Sequence, residues 1–369
     1  MRDFGGIVER TPVRVVRPGS ADEVAAALRD AAASGLEALP RGLGHSTYGQ
    51  SLTSGVSLDL RGLNGVDVVE TGAADGGGTA VAGAGATWRE VLAATLPHGL
   101  TPPVLTDYLD LTVGGTLSAG GVGGTSHRYG TQADNVRALD VVVGGQAVRC
   151  SSGVLPEVFD AVLGGLGRHG VITAAELRLV PAPERVLACT VPCRDAADVL
   201  RVQRDVRAEE VSAQIKPTDV GWAYEVKAVL HGDGGEPPPG TAETEELAYF
   251  DFCDRMRPDV EELIALGEWA RPHPLGMVFL PVSRAAEVIG ATMAETTADD
   301  LGLSGVTLIK ALRSGRAPVP GGEAVLFSVL RAASPGCAPV EAMLAANRTL
   351  LDRARAVGGA RYPVDSVPS

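Results

Sequence analysis

The chain has 369 residues, more than one ordinary hydrophobic core takes up, so its length predicts two domains or three. Hydrophobic residues make up 45% and aromatic residues only 4%, a composition that indicates a large core with close backbone packing. The net charge is −13 and no stripe is rich in lysine and arginine, which argues against nucleic-acid partners and an anionic membrane surface.

The cysteines are few and scattered. The C-x3-C pair lacks a nearby histidine or second pair that would complete a zinc site, so we expect reduced, structural thiols and no metal. The five positions are Cys150, Cys189, Cys193, Cys253 and Cys337. We also expect no signal peptide, no membrane-spanning helix and a cytoplasmic location, because neither an apolar leader nor a run of about 18 apolar residues is present.

The first elements predict a β-α-β unit: a strand at 13–16, a helix at 21–34 and a strand at 37–40. Ser20 stands three residues before Glu23, a capping-box spacing, and Gly35 is placed to end the helix. The second strand leads directly into Arg41-Gly42-Leu43-Gly44-His45-Ser46. This unit therefore delivers a glycine-rich loop with a histidine to the end of a strand.

The rest of the first half alternates short strands and helices. Strands are predicted at 56–60, 66–70, 79–82 and 171–180, and helices at 87–96, capped by Thr87, and at 156–163. Asp75-Gly76-Gly77-Gly78 predicts a hairpin connection, and so does Gly144-Gly145 between strands at 139–143 and 146–150.

Pro181-Ala182-Pro183 is a plausible boundary, and it divides the chain into domains at 1–185 and 186–369. Beyond it the glycine-rich motifs stop. A helix is predicted at 196–207, a strand at 220–230, a loop at 232–240 and a long helix at 340–357.

Two segments indicate chemistry. Gly42 and Gly44 allow a ligand to approach the backbone closely, and His45 would then be held against that ligand. The alternative interpretation is a histidine in a turn that binds no ligand. The run 111–124 has six glycines with hydroxyls at Thr112, Thr116 and Ser118. Such a run suits an anion nest for a pyrophosphate, although a set of structural turns is the competing interpretation.

The longer motifs resemble the cytokinin dehydrogenase signature. Val104-Leu105-Thr106-Asp107-Tyr108-Leu109 leads into Leu111-Thr112-Val113-Gly114-Gly115-Thr116-Leu117-Ser118. Arg128-Tyr129-Gly130-x-Gln132-x-x-Asn135-Val136 and the glycines at 164–170 follow in the same order. The resemblance covers roughly residues 10–185 and implies an α+β fold of the vanillyl-alcohol-oxidase type: a PCMH-type FAD-binding domain, then an α+β substrate domain with an antiparallel sheet covered by helices.

Residue by residue, the resemblance implies FAD attached covalently through His45 to the flavin 8α carbon. Gly123 and Thr125 lie where bicovalent relatives carry a cysteine, so a single bond is expected. Asp107 corresponds to the active-site aspartate and Glu225 to a glutamate at the substrate entrance. The implied cofactor contacts are Arg41, Gly42, Leu43, Gly44, His45, Ser46, Gln50, Thr106, Asp107, Thr112, Gly114, Gly115, Thr116, Ser118, Gly120, Val122, Gly170 and Ile172.

A carboxylate at Asp107 makes chemical sense in C–N oxidation, because it can orient the substrate nitrogen and accept its proton. Burial against the flavin would raise the pKa of Asp107 toward a useful value. From the residues alone, a turn cap before Tyr108 is the simpler interpretation. Asp110 is expected to face away, and His273 and the other histidines (His98, His127, His169 and His231) are expected to be structural or surface residues.

The chain departs from the family pattern in three places. Ala119 replaces a usual asparagine, the substrate domain is short, and the Asp-Pro…Pro-Gly-Gln segment expected beyond Tyr362-Pro363 is missing. We therefore expect the family's C-terminal return to the FAD domain to be truncated, and the cofactor to be covered by a partner subunit, as in a homodimer, or to lie in a more open site.

Three functional hypotheses remain. The first is oxidation of a small amine such as an N6-alkyladenine, with dioxygen or a quinone-type acceptor reoxidising the flavin. The second is a flavin oxidase of the same fold acting on an alcohol or a natural-product intermediate, since a shared fold does not fix the substrate. The third, a flavin carrier without turnover, has no need of Asp107.

Overall fold

The computed structural model describes residues 1–71, 76–232, 235–313 and 315–368. It contains both helices and mainly antiparallel strands, which confirms the predicted mixture of α and β structure. The chain separates into two compact units. The first unit comprises Met1–Phe4, Val8–Gly121 and Gln132–Ala182, and the second comprises Gly5–Ile7, Val122–Thr131 and Pro183–Ser369.

The first unit begins with three parallel strands, with α1 between the first two in sequence, and continues with antiparallel strands. Its elements are β1 (Arg14–Val16), α1 (Ala21–Ala33), β2 (Ala38–Arg41), β3 (Val56–Asp59), β4 (Val66–Thr71), β5 (Gly78–Gly83), α2 (Trp88–Thr95), β6 (Leu100–Thr101) and α3 (Val113–Leu117); after α4 (Ser126–Tyr129), which belongs to the second unit, come β7 (Val136–Val143), β8 (Gln146–Ser151), α5 (Pro156–Val162) and β9 (Val171–Pro181).

The β-α-β prediction is confirmed in its elements and refined in its topology. The Ser20 hydroxyl accepts from the Glu23 N–H and caps α1, while the Glu23 carboxylate accepts from the Gly19 N–H. Gly35 follows α1 with a left-handed φ of +66°, as a helix-ending glycine does. However, β1 and β2 are not neighbours, because β3 inserts between them and pairs in parallel with both.

An antiparallel sheet forms the other half of the first unit. Its strands follow the order β4-β5-β9-β7-β8, with β6 paired to β9. Positive φ values at Gly144 and Gly145 build the tight turn between β7 and β8, as the sequence predicts. The hairpin predicted at 75–78 includes Asp75, which lies outside the described residues, while β4 and β5 on either side do pair antiparallel.

The second unit is built on an antiparallel sheet. Its remaining elements are β10 (Arg185–Cys193), α6 (Ala196–Asp205), β11 (Glu210–Thr218), β12 (Gly221–His231), β13 (Glu243–Ala248), α7 (Tyr249–Cys253), α8 (Met256–Ala265), β14 (Gly276–Pro281), α9 (Val282–Glu295), α10 (Ala298–Leu301), β15 (Val306–Arg313), β16 (Glu323–Leu330), α11 (Val340–Ala356) and β17 (Ala360–Arg361). The strands follow the order β13-β10-β12-β11-β15-β16-β14-β17.

Helices α6, α9 and α11 share one core with this sheet. Val199, Ile289 and Leu350 from the helices lie in the same buried cluster as Val226 and Phe327 from the strands. The predicted α6, β12 and α11 are present, with ends that differ by a few residues. The loop predicted at 232–240 lies in part outside the described residues, at 233–234. Along the parts of the chain described here, no helix combines the length and apolar character of a membrane span.

Candidate active site

The loop after β2 is fixed by close packing. Gly44 has a left-handed φ of +76°, and a Cβ there would lie 2.1 Å from Nη2 of Arg41. The Arg41 guanidinium donates to the Arg2 carbonyl over 2.8 Å and to the Ser51 hydroxyl over 3.3 Å. Gln50 is also engaged locally, because its side-chain oxygen accepts from the Tyr48 N–H. The loop is therefore a built structure with little room for side chains at its turns.

Thr112 connects the two glycine-rich segments. A Cβ on Gly42 would lie 2.1 Å from the Thr112 hydroxyl, and a Cβ on Gly115 would lie 2.9 Å from the same oxygen. The loop after β2 and the start of α3 therefore pack against each other, although about 70 residues separate them in sequence. Glycine at position 42 is what permits this approach.

Two aromatic rings lie close to His45. The Phe4 ring stacks on the imidazole with centroids 4.4 Å apart and planes within 14°. Tyr108 lies 5.2 Å away, tilted by 41°. The Phe4 N–H also donates to the Gly44 carbonyl over 2.8 Å. The segment Met1–Phe4 thus belongs to the surroundings of His45, a role that its sequence did not suggest.

Asp3 ties that segment to the loop. One oxygen of its buried carboxylate accepts from the Ser46 hydroxyl at 3.0 Å and from the Gly49 N–H at 2.6 Å. Burial raises the pKa of the Asp3 carboxyl, while the Gly49 and Ser46 hydrogen bonds and the charge of Arg41 act in the opposite direction. The hydrogen bonds hold residues 46–49 against the first residues of the chain.

Asp107 is half-buried. It directly precedes Tyr108, whose ring approaches His45. The Thr106 hydroxyl donates to the Tyr108 carbonyl over 2.9 Å and closes the turn around Asp107. Asp110 forms an ion pair with Arg89, with 2.7 Å between its Oδ1 and the arginine Nε. Of the two aspartates, Asp107 is next in sequence to Tyr108, whose ring approaches His45, whereas Asp110 pairs with Arg89.

The segment predicted as a nest of glycine turns contains a short helix, α3, and several of its polar groups are engaged within the protein. The Gly114 N–H donates to the Ala84 carbonyl. The Trp88 indole N–H donates to the Thr116 hydroxyl over 2.8 Å, and the Ser118 hydroxyl donates to the Gly114 carbonyl over 2.7 Å. The Gly114 N–H and the Thr116 and Ser118 hydroxyls thus have partners within the protein, and their contact with a pyrophosphate stays a prediction.

The other predicted residues lie in different places. Ile172 is buried in β9. The carbonyl of the following residue, Thr173, accepts from the Ala84 N–H, and the Ala84 carbonyl accepts from Gly114, so β9 adjoins the start of α3. Gly170 is crowded by Val143 and Val162. Val122 belongs to the second unit, in a cluster with Met277 and Phe279. Gly120 has a φ of +107° and open space around a virtual Cβ.

Glu225 also belongs to the second unit, on β12. Its carboxylate forms ion pairs with Lys216 at 3.0 Å and Lys227 at 3.4 Å. Burial opposes ionisation of Glu225, but the two lysines outweigh it and hold the pKa of Glu225 below its ordinary value. It is therefore an ionised group, not a proton donor, at neutral pH.

The remaining candidates have structural environments. His273 is buried, its backbone N–H donates to the Gly5 carbonyl, and its ring packs edge-on against Trp269. The five cysteines are all free thiols, and burial raises the pKa of Cys253 to about 12, which makes its thiol unreactive. Among the residues that the structure describes, no group of three or more His, Cys, Asp or Glu side chains is arranged to hold a metal ion.

The residues present fit a flavin nucleotide in two respects. The absence of a Cβ at Gly42 and Gly115 lets both backbone segments lie close to Thr112, and glycine backbone of this kind also lets a ligand approach closely. Next to the Gly42 segment stands an imidazole between aromatic rings, which is a nucleophile held in an apolar setting. The hydroxyls of Thr116 and Ser118 do not add to this fit, because they are already engaged.

A family model described as an FAD binding domain matches residues 12–151, which include the His45 loop, Asp107 and α3. This match indicates FAD binding in that part of the chain. The chain is 38% identical to an uncharacterized oxidoreductase, ORF5 in the fasciation locus of Rhodococcoides fascians, over 99% of this chain and 87% of the relative. It is 32% identical to cytokinin dehydrogenase 8 of Oryza sativa subsp. indica, over 97% and 80% of the two chains.

A third relative, cytokinin dehydrogenase 4 of Arabidopsis thaliana, is 31% identical over 83% of this chain and 70% of its own length. The chain belongs to the cytokinin-oxidase-like FAD-linked oxidases of the vanillyl-alcohol-oxidase and PCMH family. The family resemblance seen in the sequence motifs is thus confirmed.

Proposed function

We propose that this protein oxidises a C–N bond of a small secondary amine of the N6-alkyladenine type, with FAD carried covalently on His45 and Asp107 as proton acceptor. The observation that carries the proposal is the proximity of the His45 ring to Tyr108, 5.2 Å away, because Tyr108 follows Asp107 directly. On this proposal the attachment residue and the acid–base residue both belong to the first unit.

His45 would hold the flavin through a bond from an imidazole nitrogen to the 8α carbon. The imidazole N–H and one C–H of the 8α methyl group would each give up a proton, and dioxygen would take up the two electrons. The chain contributes the His45 imidazole, and the ring of Phe4 stacks on it with the ring centroids 4.4 Å apart.

In turnover, bound flavin supplies a hydride acceptor for the substrate carbon. Asp107 accepts the proton from the neighbouring nitrogen, so the C–N single bond becomes C=N. The carboxylate of Asp110 is held in its ion pair with Arg89 and does not compete for this role. Dioxygen or a quinone-type acceptor then takes up the two electrons.

We assign substrate binding to residues 186–369 and FAD binding to residues 1–185. The second unit supports this with a polar group on its sheet: Glu225, ionised between Lys216 and Lys227, which can accept a hydrogen bond from an amine or adenine N–H. Relatives named cytokinin dehydrogenases support the N6-alkyladenine class.

The test begins with the purified protein. Its flavin should remain with the polypeptide after acid precipitation, and the His45→Ala variant should release whatever flavin it binds. Anaerobic mixing with isopentenyladenine should bleach the flavin absorbance. Protein that binds flavin but does not bleach with this amine would refute the substrate class, and bleaching with alcohols instead would favour the alcohol oxidase hypothesis.

A further inference from the structure

The residues that precede β1 pack on the attachment histidine. Phe4 stacks on the His45 ring with its centroid 4.4 Å away and its plane within 14°. The Phe4 backbone is fixed as well, because its N–H donates to the carbonyl of Gly44, the residue before His45. Ring and backbone of one residue thus hold both the side chain and the main chain at the attachment point.

Asp3 reinforces this arrangement from the other side of the loop. Its carboxylate is 6% exposed and receives hydrogen bonds from Ser46, directly after His45, and from Gly49. Ser46 and Ser51 also share a hydrogen bond at 2.7 Å, and Ser51 receives one from Arg41. His45 is therefore flanked by two residues, Gly44 and Ser46, that are each bound to the segment Asp3-Phe4.

The imidazole needs such support for the attachment reaction. The torsion between Cβ and the ring of histidine is broad, so an unsupported ring samples many orientations. A nitrogen that attacks one carbon must point at it with aligned orbitals, and misalignment lowers the rate. A stacked ring restricts that rotation to the plane seen here.

We propose that Asp3 and Phe4 are positioning residues for covalent flavin attachment: Phe4 sets the plane of the His45 ring and Asp3 fixes the loop that carries it. This inference rests on the proposed attachment at His45. It extends the flavin site to a segment outside the matched FAD binding domain, which begins at residue 12.

The experiment follows the attachment reaction itself. Protein produced under flavin limitation is mixed with FAD, and covalent flavin is measured over time by acid precipitation and by fluorescence of the denatured polypeptide in a gel. Phe4→Leu should form the bond roughly three- to tenfold more slowly, the effect of releasing one restricted side chain. Phe4→Tyr keeps the stacked ring and should restore the wild-type rate.

Asp3 is tested by a matched pair. Asp3→Ala removes the acceptor for Ser46 and Gly49 and should slow attachment, whereas Asp3→Asn keeps an acceptor oxygen and should recover much of the rate. Phe159→Leu is the control for simple loss of aromatic packing, because Phe159 is buried on α5 in the same unit. It should lower the melting temperature without changing the rate of attachment.

A binding measurement separates positioning from general damage. In a His45→Ala background, Phe4→Leu should leave the affinity for non-covalent FAD unchanged, because its effect acts through the missing histidine. If Phe4→Leu attaches flavin at the wild-type rate, this inference is overturned while the proposed attachment at His45 stands. Wild-type protein that releases all its flavin in acid would overturn both the inference and the proposed attachment.

Discussion

The contact between Gly42 and Thr112 is the most direct test of how the two glycine-rich segments meet. In Gly42→Ala the new Cβ would lie 2.1 Å from the Thr112 hydroxyl, 3.0 Å from its Cγ2 and 3.1 Å from its Cβ, where ordinary contact begins at 3.4 Å. Gly42 has no positive φ, so backbone strain plays no part. To reach ordinary contact the Thr112 hydroxyl must move by 1.3 Å, from 2.1 to 3.4 Å, while its Cγ2 and Cβ need to move by only a few tenths of an ångström.

The cost should match that of inserting a methyl group into a packed core, about 1–3 kcal/mol. Thr112 is 4% exposed, and it forms an isolated antiparallel β-bridge with Thr87, so it has little freedom to move. For a unit of this size, each kcal/mol corresponds to a fall of about 2–4 °C in melting temperature. The flavin-to-protein absorbance ratio should fall as well, because the loop carries His45.

Thermal unfolding followed by intrinsic fluorescence measures the effect, with Gly65→Ala as control. Gly65 also has no positive φ, and a Cβ there would meet nothing within 4 Å, so the control reports the loss of glycine flexibility alone. Gly42→Ala should be rescued in part by Thr112→Ala, with a coupling of about 1–2 kcal/mol. Equal melting temperatures for Gly42→Ala and Gly65→Ala, or no rescue, would refute the packing of these two segments.

Three further predictions use the same protein. Asp107→Asn should slow anaerobic reduction of the flavin about 10²-fold, whereas Asp110→Asn should not, because Asp110 is held in an ion pair. Trp88→Phe should destabilise the protein by about 1–3 kcal/mol in urea unfolding, because the buried Thr116 hydroxyl loses its indole donor. Burial raises the pKa of Asp365 to about 7 against the charge of Arg361, so the folded chain retains a proton that the unfolded chain releases above its ordinary pKa of 3.8. Stability should therefore fall as the pH rises between these values, by at most about 1.4 kcal/mol per pH unit, and Asp365→Asn should flatten the slope.

Each of these has a contrary result. A rate for Asp107→Asn equal to that of Asp110→Asn would remove Asp107 from the chemistry. Unchanged urea unfolding in Trp88→Phe would mean that Thr116 finds another partner at no cost. Melting temperatures of wild type and Asp365→Asn that differ equally at pH 5 and pH 8 would show that Asp365 does not titrate in this range.

Local patterns predicted local structure well. Ser20 and Thr87 cap the helices that their spacing predicts, and Gly144-Gly145 turns the hairpin between β7 and β8. These features depend on residues close in sequence, through capping hydrogen bonds and allowed backbone angles. The family resemblance likewise rests on contiguous motifs, and it was enough to indicate FAD.

Long-range features did not follow from such patterns. The insertion of β3 between β1 and β2 depends on which strand edges meet, and strand sequences do not encode that order. Most of the strands in the second unit were missed for a related reason. Their place in the sheet is set by packing against helices and strands far along the chain, which local spacing does not record.

The site shows the same division. The sequence by itself singled out His45, Asp107 and the glycines around Thr112 as candidates, because each stands in a motif of adjacent residues. Only the tertiary structure decided that Phe4 stacks on His45 and that Trp88 engages the Thr116 hydroxyl. Those contacts join residues 41 and 28 positions apart, and such pairs are selected by the packing of the folded chain, which no local spacing records.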